Sequence, residues 1–276
     1  MKDTIKNISI SELHPFPENP FSVREDTELQ DSICDYGVIS PLVVRPLETG
    51  GYEIISGHRR KAACEKAGID IVPAFVREMD RDTAIIALVD SNLHREHILP
   101  SEKAHAYKLK LEAIKHQGVA CDRIGHKSRE LIADNADTSA TQVQRYIRLT
   151  ELIPPILDMV DEGNIAFSPA VELSYLAEKE QCDLLETMQS EDCTPSLSQA
   201  QRMKKLSQEN RLDMDKIFSI MTEEKPNQKE QIKLKKDNIK RFFPKDYTAQ
   251  QMEKVILRLL DDWKRRREQK SRNDSR

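Results

Sequence analysis

The residues with the clearest chemistry stand where a predicted strand passes into a predicted helix. They form the run Ser56-Gly57-His58-Arg59-Arg60. The N-terminus of a helix presents unpaired backbone N–H groups and the positive end of the helix dipole. Three basic side chains are unfavourable at such a position unless an anion binds there, and glycine lets the backbone approach a ligand closely. The pattern therefore predicts a phosphate-binding site.

The same residues allow a second interpretation. The guanidinium groups of Arg59 and Arg60 could be solvated, or paired with acids such as Glu53 and Glu65. No GxxxxGK[ST] sequence occurs in the chain, so the predicted site is not a P-loop. The residue types alone leave both interpretations open.

The elements around this run predict a small α/β unit. Asp26 is placed to cap a helix that ends at Gly37. Pro73 favours an edge position for its strand, because proline cannot donate a backbone hydrogen bond. The expected elements are a helix over 26–37, two strands joined at residues 49–51, a helix over 58–67 with Gly68 after it, a strand over 71–78, and helices over 81–92 and 100–117.

Two short helices further along predict a helix-turn-helix. They span residues 128–136 and 140–152, on either side of the tight connection 137–139, and Ser139 is placed as an N-cap. This is the arrangement that places a recognition helix in the major groove of DNA. Helical hairpins without a DNA-binding role share the spacing, so the pattern by itself decides neither way.

The composition favours a mainly helical protein of several small domains. The chain has 276 residues, of which 33% are charged, 5% are aromatic and 8 are glycine. Its five scattered cysteines favour reduced thiols over disulfides, and His94, His97 and His105 complete no metal-ligand pattern. No run of about 18 apolar residues predicts a membrane span, so a cytoplasmic location is expected.

The C-terminal part of the chain is polar and basic. Residues 225–276 hold 17 Lys and Arg against 8 Asp and Glu, although the whole chain has a net charge of −4. A polar linker is predicted before an amphipathic helix that begins at the capping box of Thr248 and Gln251. The apolar stripe of this helix could dock on its own chain or on a second copy, and the basic tail could add unspecific phosphate contacts.

The order of several motifs resembles the ParB family of DNA-partition proteins, from about residue 8 to about residue 200. The motifs are NPFSVRED, PLVVRP followed by GYEIISGHRRKAACEKAGI, VPAFVRE and ALVDSNLHREHILPSEKAHAYK, ahead of the helix-turn-helix. The resemblance implies a mainly α protein: an α+β N-terminal domain of ParB/sulfiredoxin type, an all-α helix-turn-helix domain and a C-terminal helical segment. The implied divisions are 1–98 for nucleotide binding, 99–205 for DNA binding, 206–240 as a linker and 241–276 for dimerisation.

The resemblance also implies ligands and partners. It predicts CTP with Mg²⁺ in the N-terminal domain, double-stranded DNA at the helix-turn-helix, a homodimer that closes as a clamp on DNA, and a ParA-type ATPase as partner on a nucleoid or plasmid. The nucleotide-binding residues it predicts are Arg24, Ser56, Gly57, His58, Arg59, Arg60, Asn92 and Arg95, with Asn92 also a metal ligand. The predicted DNA-binding residues are Ser139, Thr141, Gln142, Arg145 and Arg148.

Two departures from the family pattern bear on catalysis. The family's loop glutamate is His58 here, and the glutamate before Asn92 is Ser91, with Asp90 one position earlier. Carboxylates at these positions would assist a metal ion or the attacking water during hydrolysis, a role that neither imidazole nor hydroxyl can take. CTP binding is therefore expected, with hydrolysis slow or absent.

Two other functions compete with partition. A ParB-like transcriptional regulator would use the helix-turn-helix without segregating DNA or turning over nucleotide. A sulfiredoxin-like enzyme would need a cysteine immediately before the His-Arg pair, where this chain has Gly57. The missing thiol disfavours that enzyme.

Overall fold

The computed structural model describes residues 4–23, 26–95, 97–117, 129, 132–133, 138–223, 242–243, 248, 251–252, 254–256, 258–260 and 263–265. Residues 1–223 form one compact unit and residues 224–276 form another. The first unit combines a five-stranded sheet with a series of helices. The predicted fold class, an α+β part followed by an all-α part, is confirmed.

One mixed sheet organises the N-terminal part of the first unit. Its strands are β1 (Thr4–Ser9), β2 (Leu13–His14), β3 (Leu42–Pro46), β4 (Tyr52–Ser56) and β5 (Ile71–Val76). Their spatial order is β1-β5-β3-β4-β2. The β1–β5 and β3–β4 pairs are antiparallel, whereas the β3–β5 and β2–β4 pairs are parallel.

The predicted edge position of Pro73 was wrong. Its strand, β5, lies between β1 and β3 inside the sheet. The register explains how an inner strand accommodates the proline. Pro73 pairs with Asn7 of β1, whereas β3 pairs with β5 only from Ala74 onward, so the proline stands just outside the ladder with β3.

Helices cover both faces of the sheet. They are α1 (Thr27–Tyr36), α2 (His58–Ala67), α3 (Arg81–Leu93) and α4 (Pro100–His116). Helices α1 and α2 contribute to one core, and α3 and α4 to the other. Ile54 and Ile55 of β4 are both buried but belong to opposite cores, because successive side chains of a strand point to opposite faces. The C-terminal end of β4 is thus held between two packed layers.

The local signals for α1 and α2 are confirmed. The Asp26 side chain accepts a hydrogen bond from the backbone N–H of Leu29 at 3.0 Å, and Gly37 follows the last residue of α1 with a φ of 70°. Gly57 precedes α2, and Gly68 follows it with a φ of 69°. Both φ values lie in the left-handed region that glycine adopts without strain.

The remaining helices of the first unit build a third core. They are α5 (Ala140–Arg148), α6 (Pro154–Asp161), α7 (Phe167–Leu173), α8 (Glu178–Glu191), α9 (Leu197–Gln208) and α10 (Met214–Thr222). Their apolar faces enclose Leu149, Ile156, Leu173 and Leu184, all fully buried. This core holds α5 and α7 in contact.

Helix α4 connects the two halves of the first unit. Ala106 belongs to the core between the sheet and α3, Ala104 to the core of α5–α10, and Tyr107 to a small cluster with Val143 of α5. The carboxylate of Asp161 in α6 accepts a hydrogen bond from the Ser101 N–H at 2.9 Å, in the first turn of α4. One helix therefore carries side chains of three cores.

The first part of the segment predicted as a linker, residues 206–240, is helical and packed in the structure. The end of α9 and all of α10 pack into the helical core, where Ile217, Ile220 and Met221 are buried. The amide of Gln199 fixes this contact by donating to the Ile220 carbonyl at 2.6 Å. The three apolar side chains recur at helical spacing, a signal that the polar average of the whole segment hides.

Some predicted helices lie partly outside the described residues. Of the first helix of the helix-turn-helix, predicted over 128–136, residues 129, 132 and 133 are described and helical. In the C-terminal unit, the backbone N–H of Thr248 donates to Gln251 at 2.8 Å, which confirms that side of the capping box. Leu259, Leu260 and Trp263 of this unit are exposed. No described helix is long and apolar enough to cross a membrane.

Candidate phosphate-binding and DNA-binding sites

Gly57 fixes how β4 turns into α2. Its φ of 113° is one that L side chains rarely adopt, and a Cβ built on it would stand 2.7 Å from Cγ of Leu42 at the start of β3. Only glycine fits there, because a side chain would be strained in its backbone and would collide with a buried neighbour. Gly57 also provides no side chain to cap α2. The first N–H groups of the helix are left without a capping side chain.

His58 is the first residue of α2 and is 8% exposed. Its Nε2 is buried and has no hydrogen-bond partner in the described structure. Burial lowers the pKa of the imidazole from 6.5 to about 4, with further lowering by the charges of Arg95 and Lys61. The ring is therefore neutral at physiological pH, and one of its nitrogens has a hydrogen-bonding capacity that the protein does not use.

The guanidinium of Arg59 has a partner at one nitrogen and none at another. Its Nη2 forms an ion pair with Asp26, the residue that caps α1. Its Nε is buried without a hydrogen-bond partner in the described structure. Beside it opens a pocket of about 140 Å³, lined by residues of α1 and α2 that include Thr27, Gln30 and Ala62. Asp26 also lines this pocket, and the buried Nε is a donor that Asp26 does not occupy.

Arg60 lies toward a different neighbour. Its guanidinium donates to the carbonyls of Ser40 and Pro41, the second at 2.8 Å, in the segment that leads into β3. Burial lowers the pKa of Arg60. The two acids named in the alternative interpretation are engaged elsewhere: Glu53 with Arg45 at 2.6 Å, and Glu65 with Lys61 at 2.6 Å.

Arg95 is brought close to the start of α2. Burial lowers the pKa of Arg95, and the charge of Arg59 lowers it further, whereas Glu102 opposes the shift. The guanidinium lies over the ring of Phe21 at 5.8 Å from its centroid. The structure thus places Arg59, Arg95 and the neutral His58 within electrostatic reach of one another. The two guanidinium cations of this group attract an anion.

The other predicted nucleotide residues are less decisive. Asn92 is buried and donates to the Leu88 carbonyl at 2.7 Å in its own helix. Arg24 lies outside the described residues. Two positions before it, the backbone N–H of Ser22 donates to the Glu102 carboxylate at 2.9 Å, which ties that loop to α4.

The described part of the site offers few ligands for a metal ion. Asp90 pairs with Lys110 of α4, which is 1% exposed, and Ser91 Oγ donates to the Leu88 carbonyl at 2.9 Å. The described residues contain no group of three or more His, Cys, Asp or Glu arranged for a metal. Mg²⁺ usually takes one or two carboxylates besides phosphate and water. The residues present therefore fit an anion better than a metal ion.

Helix α5 starts with a side-chain cap. The Ser139 hydroxyl accepts a hydrogen bond from the Gln142 N–H at 3.1 Å, as its position in the sequence predicts. Thr141 is exposed, and Val143 on the opposite side is fully buried. The cap and the buried side hold the first turn of α5 rigidly, with its polar side available to a partner.

The two arginines of α5 that were predicted to bind DNA both contact residues at the ends of α7. Arg145 donates to Ser168 Oγ at 2.9 Å and lies 4.9 Å from the centroid of the Phe167 ring. One turn later, Arg148 donates to the Ser174 carbonyl and lies 4.3 Å from the centroid of the Tyr175 ring. Each guanidinium thus has a fixed position at one end of α7.

Comparisons with known proteins show which proteins this chain is similar to. Residues 1–93 match the ParB N-terminal domain family. The Stage 0 sporulation protein J of Bacillus subtilis is 30% identical over 187 residues, which are 67% of this chain and 62% of that protein. The chromosome-partitioning protein Spo0J of Thermus thermophilus is 34% identical over 176 residues, which are 62% of this chain and 60% of that protein. Residues 1–93 therefore belong to the ParB N-terminal domain family.

The chain spans about three fifths of the length of these two ParB relatives. Among solved structures, the C-terminally truncated ParB of Caulobacter crescentus, complexed to the centromeric parS site, aligns with 74% of this chain and 99% of that chain. That alignment has 22% identity and a TM-score of 0.46.

The ParB motifs gave no indication of one group of residues beside α5. Tyr175 lies between two cations, since Lys204 Nζ of α9 is 3.6 Å from the ring centroid over which Arg148 also lies. Lys204 in turn pairs with Glu172 of α7 at 2.8 Å. Sequence reasoning missed these residues because the helices that carry them are up to 56 positions apart in the chain.

Proposed function

We propose that this ParB-family protein is a partition protein that binds a specific site in double-stranded DNA through α5 and binds CTP at the start of α2. The observation that carries the nucleotide proposal is the pair of buried, unpartnered nitrogens, His58 Nε2 and Arg59 Nε. Leaving a buried polar group unpaired costs about 1–3 kcal/mol. A bound phosphate would supply acceptors for both groups and for the uncapped N–H groups of α2.

CTP is the proposed ligand because the resemblance to the ParB family implies it, and residues 1–93 match the N-terminal domain of that family. The site itself selects for an anion: Arg59 and Arg95 provide charge, and Gly57 allows the backbone to approach the phosphates. Asn92 could offer an oxygen to Mg²⁺ that arrives with the nucleotide. Such an ion would take most of its ligands from phosphate and water.

We propose that this site binds nucleotide without efficient hydrolysis. His58 stands where a carboxylate would be expected, and Asp90 is held by Lys110 on the side of α4. When bound, Mg²⁺ would neutralise charge on the phosphates. No described carboxylate faces the site free of a partner to orient an attacking water. Dimer closure on DNA, a ParA-type ATPase partner and location on a nucleoid or plasmid belong to the same proposal.

A second candidate function has one observation in its favour. Arg59 pairs with Asp26, and Arg60 donates to two backbone carbonyls, so the protein itself satisfies part of the cationic group. A site satisfied in this way could stabilise the fold without a ligand. The protein would then be a ParB-like transcriptional regulator that acts through the helix-turn-helix alone.

Calorimetric titration of the full chain with CTP, ATP, GTP and UTP, each with and without Mg²⁺, tests the proposal. We expect CTP to bind selectively and Arg59→Gln to weaken its binding at least about tenfold, because a charged hydrogen bond to phosphate contributes about 1.5–3 kcal/mol. Arg81→Gln is the matched control, since Arg81 pairs with Glu18 on the surface.

The two candidate functions give different results in this titration. Absence of binding for all four nucleotides, with DNA binding intact, would support the regulator. CTP binding that Arg59→Gln leaves unchanged would place the nucleotide elsewhere on the protein.

A further inference from the structure

A cation–aromatic cluster stands at the end of α7, beside the predicted recognition helix. We call it the Tyr175 cluster, and it consists of Tyr175, Arg148, Lys204 and Glu172. The ring of Tyr175 is 41% exposed and receives Arg148 at 4.3 Å and Lys204 at 3.6 Å from its centroid. Arg148 lies in α5, Glu172 in α7 and Lys204 in α9, and Tyr175 follows the end of α7.

Charge in this cluster is only partly balanced. Two cations share one aromatic ring, and each cation–π contact contributes about 0.5–1 kcal/mol at an exposed site. Glu172 pairs with Lys204 at 2.8 Å, and both side chains remain about one quarter exposed. Arg148 is held by the neutral hydroxyl and carbonyl of Ser174. The cluster therefore keeps a net positive charge at the surface.

The cluster is continuous with the residues proposed to contact DNA. Gln142 accepts a hydrogen bond from Arg145 at 3.4 Å, Arg145 reaches Ser168 at the start of α7, and Arg148 reaches Ser174 at its end. A line of polar contacts thus leads from the first half of α5 along α7 to Lys204. Phosphates that flank bases read by α5 would come next along such a line.

We propose that the Tyr175 cluster is a second DNA contact, which binds the phosphate backbone beside the bases read by α5. This inference rests on the proposed DNA-binding function. A phosphate would replace the Glu172 carboxylate as the partner of Lys204 and would accept hydrogen bonds from Lys204 and Arg148. The Tyr175 hydroxyl provides a further donor of the kind that contacts phosphate in DNA complexes. Such contacts add affinity and fix position without reading sequence.

The test begins with duplexes selected from a random-sequence library by the full-length protein. Failure to enrich any sequence would count against the proposed function itself. With an enriched duplex in hand, binding is measured for wild type, Lys204→Gln and the matched control Lys205→Gln. Lys205 is the exposed neighbour of Lys204 in α9 and belongs to no ion pair among the described residues.

The salt dependence gives the expected result. One lost phosphate contact lowers the slope of log affinity against log salt by about 0.9. The ratio of wild-type to Lys204→Gln affinity should therefore shrink about three- to fourfold between about 50 mM and about 200 mM salt. Lys205→Gln should behave as wild type, and Lys204→Gln should weaken enriched and altered duplexes equally. Equal slopes for both lysine variants would overturn the proposal.

Glu172→Gln provides a test with the opposite sign. Removing this carboxylate frees Lys204 and removes a repulsive charge, so the enriched duplex should bind more tightly and with a steeper salt slope. If the variant merely damaged the fold, or if the ion pair between Glu172 and Lys204 were purely structural, affinity for the duplex would fall. Weaker or unchanged binding by Glu172→Gln, in a protein whose circular dichroism matches wild type, would contradict the proposed exchange of carboxylate for phosphate.

Discussion

Helices α2 and α5 both begin after a short connection and both carry arginines, but their first turns are satisfied in different ways. The hydroxyl of Ser139 caps α5 from within the chain. Gly57 offers α2 no capping side chain, and two buried nitrogens beside it have no described partner. In a capped helix, a side chain of the protein already satisfies a backbone N–H group of the first turn. In an uncapped helix these N–H donors remain available to a ligand.

The arginines of the two helices show the same difference. In α5, Arg145 and Arg148 contact aromatic rings and Ser168 and Ser174, so the protein itself fixes their positions. At α2, Arg59 keeps a buried Nε unpaired while its other end holds Asp26. Side chains that are already held in position lose less entropy when a ligand binds. Side chains with unpaired polar groups gain more hydrogen-bond energy from the same event.

Among the variants that test the difference between α2 and α5, Gly57→Ala should lower the free energy of unfolding most. The new Cβ would meet Leu42 at 2.7 Å in a backbone with a φ of 113°. Left-handed backbone and overpacking together cost about 2–5 kcal/mol. Urea unfolding followed by circular dichroism should show this loss in the free energy of unfolding.

Gly68→Ala is the control for that measurement. Gly68 has a φ of 69°, but a Cβ there meets no atom within 4 Å, so only the backbone cost of about 1 kcal/mol should appear. A similar loss for both variants would mean that the close approach to Leu42 does not constrain the start of α2.

The second-largest effect should be a dependence of the free energy of unfolding on pH, caused by titration of the buried His58 imidazole. Burial lowers the pKa of His58 to about 4 in the folded protein, against 6.5 for the free side chain. Between these values the unfolded chain binds more protons, so stability is complete above about pH 6.5 and falls as the pH falls toward 4. The loss by pH 5 should be about 2 kcal/mol of unfolding free energy.

Variants of two histidines sharpen this test. His58→Asn should remove that part of the pH dependence, whereas His105→Asn should keep it, because His105 is exposed on α4. Identical unfolding curves against pH for His58→Asn and wild type would show that the imidazole is not buried in its neutral form.

The smallest effect should come from Ser139→Ala. Loss of an N-cap costs about 1 kcal/mol and frays the first turn of the helix. Amides in the first turn of α5 should exchange faster with solvent and affinity for DNA should fall, while CTP binding stays unchanged. Ser196→Ala removes the equivalent cap of α9, whose Ser196 accepts from Gln199 at 3.4 Å, and should cost similar stability without the loss in DNA binding.

The sequence predicted well those features that neighbouring residues determine. The caps of α1 and α5 and the glycines on either side of α2 depend on two to four adjacent positions. The run Ser56–Arg60 was placed correctly at the start of a helix for the same reason. Such local geometry is a property of short stretches and does not depend on what packs above them.

Features that depend on distant partners were not predictable in this way. Pro73 is accommodated inside the sheet because β3 begins opposite Ala74, one residue after the proline. The pairing of Arg59 with Asp26 joins residues 33 positions apart. Helix α10 escaped notice because the polar composition around it masked three buried side chains. Tertiary contacts settled the cases of Pro73 and Arg59, and no short window of sequence contains both partners. The signal for α10 was local, in three apolar side chains at helical spacing.

Helix α4 has a consequence for how this chain can be divided. A fragment that ends at residue 98, where the motifs predict a boundary, would lack Ala106 and Ala113, which close one face of the sheet. A fragment that begins after α4 would lack Ala104 and Tyr107 from the cores around α5. The sheet-containing half and the all-helical half of the first unit therefore share one helix. Recombination between relatives would preserve both cores only when α4 is transferred whole and packs correctly against each half.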